Sequence, residues 1–132
     1  MIYRSALGTV YSSVRSALKA GIHGIPVGET AGYPRIEIHS LTEDSEGDKG
    51  DAVRRIAFTV ESMSATGYRD AVAMNQAVCG ILAGTRPAID DAHFRPLQVI
   101  AAQLTEMPET VDTQTQLFRQ LQRFYFLVQQ ID

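Results

Sequence analysis

Apolar residues recur along the start of the chain at spacings of three and four. Tyr3, Leu7, Val10, Val14 and Leu18 make one stripe, with Ala6, Tyr11 and Ala17 beside it, while Arg4, Ser5, Ser12, Arg15 and Lys19 fall on the other side. A period near 3.6 with one face to bury predicts an amphipathic helix over residues 2–20. Gly21 follows Lys19 and can end the helix, with a cation in the last turn and a residue free to take positive φ. The segment Ile22 to Val27 is apolar and extended, but Pro26 restricts it to an edge strand or to no strand. Gly28 to Gly32 reads as a loop. Pro34 then opens a period-two pattern, with Ile36 and Ile38 on one face and Arg35, Glu37 and His39 on the other.

A second alternating run spans Val53 to Met63, with Ile56, Phe58 and Val60 opposed to Arg55, Thr59 and Glu61. The hydrophilic stretch between the two runs, TEDSEGDKGD at 42–51, predicts a hairpin tip. One dry and one wet face predict a mainly antiparallel sheet covered on one side. After a turn at Ser64 to Gly67, Ala71, Met74, Val78, Ile81 and Leu82 mark a helix over 68–83. Thr66 is its expected N-cap, Asp70 suits the first turn, and Gly84 suits the C-terminal end. Thr85 to His93 reads as a loop, Phe94 to Leu104 as a strand, and Met107 to Thr115 as polar and turn-like. Leu117 to Ile131 fits either a helix face or a strand; the aromatic and branched residues of FYFLV favour the strand. The expected fold is α+β: a mainly antiparallel sheet of about four to five strands with two helices packed on one face.

Composition narrows the function. The chain has 132 residues, 45% hydrophobic and 20% charged, which predicts a single domain over 1–132 with a core of its own. A net charge of −3 offers no basic surface for nucleic acid or an anionic membrane. No signal-peptide stretch and no membrane-length apolar run appears, so a soluble protein made in the cytoplasm is expected. Cys79, the single cysteine, excludes an intrachain disulfide and sits beside the second helix's stripe, where it reads as a small buried hydrophobe.

Candidate chemistry is sparse. His23, His39 and His93 are far apart and in no ligand spacing. The acidic run Glu43, Asp44, Glu46, Asp48 and Asp51 resembles a calcium loop only loosely, because the DxDxDG order is missing and Lys49 intrudes; a solvated hairpin tip is expected. Ser5, Ser12, Ser13 and Ser16 fall on the polar side of the first helix, and no phosphate-cradling glycine motif occurs. Arg54 and Arg55 form the only basic pair. Glu37, His39 and Arg55 could face one another across the hairpin, which is the best case for an enzyme. No catalytic, cofactor-binding or metal-ligating residue is assigned on these grounds, and no cofactor is expected.

The order of segments resembles the tail terminator (tail-completion, minor tail protein) family of long-tailed bacteriophages. The matching pieces are YPRIEIHSLTEDSEGDKGDAVRRIAFTVES, GYRDAVAMNQAVCGILAG and the closing strand around RQLQRFYFLVQ, and the resemblance in segment order extends over nearly the whole chain. The resemblance implies a structural phage or prophage protein that caps the tail tube, ends its polymerisation and forms the head-joining surface. It implies a homo-oligomeric, six-membered (hexamer) ring in the virion tail or neck. The implied partners are the tail tube protein and a head-completion or connector protein, with no specific nucleic-acid binding and no membrane. Trimming residues 44–50 should then impair assembly and spare the fold. The competing readings are another head–tail joining protein of the same fold and a small ligand-binding or regulatory domain.

Overall fold

The computed structural model describes residues 2–28, 32–45, 52–110 and 116–132, the side chains of 107–110 excepted. Its elements are α1 (Leu7–Gly21), β1 (Arg35–Ser45), β2 (Val53–Ser64), α2 (Tyr68–Leu82), β3 (Phe94–Thr110) and β4 (Gln116–Gln130). The four strands form one sheet in the order β1-β2-β4-β3, with every neighbouring pair antiparallel. The fold is therefore α+β, as the patterns predict.

The core lies between this sheet and the helices. Val10, Val14 and Leu18 of α1 and Met74, Val78 and Leu82 of α2 meet Ile36, Ile38, Ile56, Phe58, Val60, Phe124, Phe126 and Val128, all buried. Phe58 and Phe124 sit across from each other on β2 and β4 and stack at 5.5 Å, a geometry that adds to their area burial. The ambiguous closing segment is a strand because its even-numbered residues complete this face while Leu121, Tyr125 and Leu127 occupy the other.

Several expectations are corrected. The helix begins at Leu7, not at residue 2, because Glu43 captures the chain just before it: Glu43 accepts Ser5 Oγ–H at 2.9 Å and the Ala6 N–H at 2.8 Å. Of the two readings for Ile22 to Val27, edge strand or no strand, the second holds: the segment makes only one parallel bridge, Val27 to Ile36, since Pro26 contributes only its carbonyl, to the Ile36 N–H at 2.9 Å. Thr66 does not cap α2; Gly67 holds that position, and the Thr66 hydroxyl bonds the Asp70 carboxylate. Met107 to Thr110 are not a turn: β3 runs through them, paired with Gln116 to Arg119. The acidic stretch is partly strand, since β1 continues to Ser45, while Glu46, Asp48 and Asp51 lie outside the described residues. Gly84 does take positive φ (75°) after α2, and its N–H reaches the Val99 carbonyl at 2.8 Å, which ties the helix exit to β3.

Irregularities in the edge strands decide which residues face the helices. β1 carries one extra residue between His39 and Thr42, where Ser40 has φ 57°. The bulge reverses the alternation beyond it, so Glu43 pairs with Ile56 on the helix side. β3 has two such shifts, at Pro96/Gln98 and Ala101/Leu104. Gln122 of β4 serves the second, donating Nε2–H to the carbonyls of Ala102 (3.3 Å) and Gln103 (3.4 Å).

Candidate assembly surface

Both helices occupy one side of the sheet, which among the described residues leaves the other side without a helical cover. That side carries Arg35, Glu37 and His39 of β1, Arg55, Ala57, Thr59, Glu61 and Met63 of β2, Arg119, Leu121, Arg123, Tyr125 and Leu127 of β4, and Ile100 of β3. It was expected to be wet along β2. Instead Thr59 (8% exposed), Glu61 (4%) and Met63 (3%) are buried. β2 is an inner strand, and the long side chains of β1 and β4 close over it.

Glu61 is the centre of this arrangement. Arg119 Nε–H bonds one of its carboxylate oxygens, and His39 Nε2 lies 2.8 Å from the other. Three strands thus meet on one carboxylate. Burial alone would push the Glu61 pKa up, but the bonds from Arg119 and His39 outweigh it and hold the carboxyl below its ordinary value. Farther along the same face, Arg123 Nη1–H donates to the Ser40 carbonyl (2.7 Å) and to Thr59 Oγ1 (3.0 Å). Arg55 sits 3.7 Å from Asp44 and lies over the Tyr125 ring at 5.0 Å. Arg35 pairs with Glu37 at 3.0 Å and lies over the Tyr33 ring at 4.7 Å.

The best enzymatic trio is therefore not assembled. Glu37 pairs with Arg35, His39 with Glu61, and Arg55 with Asp44 at the far end of the strand. Between the ion pairs the face is half-apolar: Leu121, Tyr125 and Leu127 are partly exposed, and Ile100 is 42% exposed. Two shallow depressions break it, one of about 280 Å³ around Thr59, Leu121, Arg123 and Tyr125, the other of about 340 Å³ around Tyr33, Arg35, Glu61 and Arg119. A half-apolar face whose charges are paired with one another suits a protein contact.

The remaining candidates fall elsewhere. By sequence Glu43 belongs to a hairpin tip and Arg54 to a basic pair, yet both are built into the helix side. Arg54 is fully buried beneath the Tyr3 ring (4.3 Å), donates to Gln130 Oε1 at 2.9 Å, and lies 3.9 Å from Glu43. Ser13 is likewise buried, not on a polar face; its hydroxyl donates to the Ala88 carbonyl at 2.7 Å. Cys79 is half-buried with Sγ 3.6 Å from Gln122 Oε1, and burial raises its thiol pKa, the reverse of what a nucleophile needs. His23 is exposed, and His93 lies 3.2 Å from Asp132. Among the described residues no cluster of His, Cys, Asp and Glu could hold a metal ion, and no helix is long and apolar enough to cross a membrane. Nothing in local sequence flags Glu61 as special; only the register that sets it beside His39 and Arg119 does.

No protein-family profile and no curated protein matches this sequence. Among solved structures, a chain of one described as "Virion of native gene transfer agent (GTA) particle" matches with a TM-score of 0.72 at 13% identity, over 95% of this chain and 99% of that one. At that identity the likeness is one of fold.

Proposed function

We propose that this chain is a structural component of a phage-like virion, working without catalysis as one domain that assembles with copies of itself and with other virion proteins. The observation that carries the reading is the likeness of fold over nearly the full length of both chains to a component of a gene transfer agent virion. The helix-free sheet face supports it, because its ion pairs are satisfied internally while apolar side chains remain for a partner to cover. Within that class the chain acts as a tail terminator: it caps the tail tube, stops its polymerisation and offers the surface that joins the head, as a ring in the tail or neck. The segment order given above supports this finer role. Its partners are then the tail tube protein and a head-completion protein.

The test is a polymerisation assay of the cognate tail tube protein. Substoichiometric amounts of this chain should shorten the tubes and decorate one end of each in electron micrographs. Tubes of unchanged length with bare ends contradict the terminator role, and decoration at a head connector instead moves the protein to the other side of the joint.

A further inference from the structure

The two ends of the strands carry surfaces that match each other. At one end the chain termini converge on Gln130, which donates to the Ile2 carbonyl and accepts the Arg4 N–H at 3.3 Å. Ile2 (74% exposed), Tyr3 (54%) and Ile131 (52%) stand out there as large apolar side chains in solvent. Arg4 and the exposed Asp132 flank them. Single exposed apolar residues are ordinary, but a group of three at one corner is a contact signature.

At the other end, where α1 stops and β2 runs out, lies a groove of about 450 Å³. Its floor is Ile22 and Met74, both buried, and its walls are Ile25, Pro34, Ala73 and Ala77. The small alanines of α2 keep it open. His23 and Asp70 mark its polar rim. The α1 helix, 15 residues, separates the two surfaces by about 22 Å.

We propose that the groove receives the Ile2 and Ile131 corner of a second copy of this chain. The charges match as well as the apolar parts: Arg4 on the corner meets the exposed Asp70 on the rim, while Asp132 stays with His93 of its own chain, 3.2 Å away. Because knob and groove lie on different ends of one chain, the contact is head-to-tail, and it propagates into a closed ring or an open filament. This rests on the self-assembly reading above and assigns it a specific contact.

The experiment uses the full chain in sedimentation velocity across concentration. Ala77→Arg fills the groove, and Ala73→Arg serves as a second groove variant should the first misfold. Ile2→Asp with Ile131→Asp removes the knob. All four positions are exposed, and circular dichroism with thermal melting checks that each variant keeps the wild-type fold. Wild type should form species larger than a dimer. Each variant alone should associate about 10- to 100-fold more weakly, from the loss of one or two buried isoleucines. An equimolar mixture of a groove variant and the knob variant retains one intact knob and one intact groove, so it should form a dimer that does not grow. Variants that associate like wild type overturn the contact and leave self-assembly standing, with the groove free for a segment of another protein. A mixture that stays monomeric overturns the head-to-tail geometry. Wild type that is monomeric throughout overturns both the contact and the self-assembly reading.

Discussion

Replacing Glu61 with glutamine should cost stability by an amount that depends on pH. The wild-type carboxylate is 4% exposed and takes charge-assisted bonds from Arg119 and His39. Such bonds contribute about 1.5–3 kcal/mol each, against about 0.5–1.5 for neutral ones. Glutamine keeps the shape and one acceptor oxygen, so the loss is about 1 kcal/mol at Arg119. It is smaller at His39, whose side chain is 36% exposed and screened by solvent. A total near 1.5 kcal/mol corresponds to a fall in Tm of roughly 4–8 °C for a chain of this size. The pH dependence follows from the lowered pKa of Glu61. In the window between the folded and unfolded values the unfolded chain binds the extra proton, so the contribution is full above the ordinary carboxyl value of 4.5 and is lost as pH falls through the folded value. The variant has no such proton, so the gap between the two proteins should be full at neutral pH and should close as the solution is acidified below the ordinary value. Thermal melts of both proteins from neutral to acid pH test this. A variant that melts with wild type at neutral pH, or a gap that widens on acidification, would refute the account of this face.

Three further outcomes follow from the same geometry. Glu43→Ala should lose about 1–2 kcal/mol in urea denaturation because it removes the acceptor for Ser5 and Ala6, whereas Asp44→Ala, one residue on and 62% exposed, should change stability by less than about 0.5 kcal/mol. Phe124→Ala should cost about 3–5 kcal/mol by the same measurement, since the ring is fully buried against Phe58. Ile100→Glu, on the helix-free face, should leave the melting temperature within about 2 °C and weaken self-association in sedimentation runs; unchanged association argues that this face is not covered in the assembly.

Much of the fold is legible in the chain because its patterns are local. Ile36 and Ile38, then Ile56, Phe58 and Val60, alternate cleanly and are buried as that alternation requires. The α2 stripe, Ala71 to Leu82, reads from spacing alone. What stayed illegible depends on distant parts of the chain. Tyr3 and Ala6 continue the helical stripe of α1, yet Glu43 intercepts the chain there, and Glu43 faces that way only because a bulge at Ser40 reverses the strand's parity. The same reversal hides the Glu43–Arg54 pair, which in sequence looks like a solvated acid and a surface base. The polar stretch from Met107 to Thr115 reads as a turn, yet Met107 to Thr110 belong to the edge strand β3, where the missing N–H of Pro108 is tolerated, and residues 111–115 lie outside the described residues. The Glu61 cluster needs three strands in register, and no window of sequence contains them all.

The measurement that tests the central claim most directly is the native mass of the purified chain across concentration, with negative-stain images of any large species and of the chain mixed with preformed tail tubes. The account predicts closed rings that seat on tube ends. A strict monomer that binds no tube end, at any concentration, would contradict it.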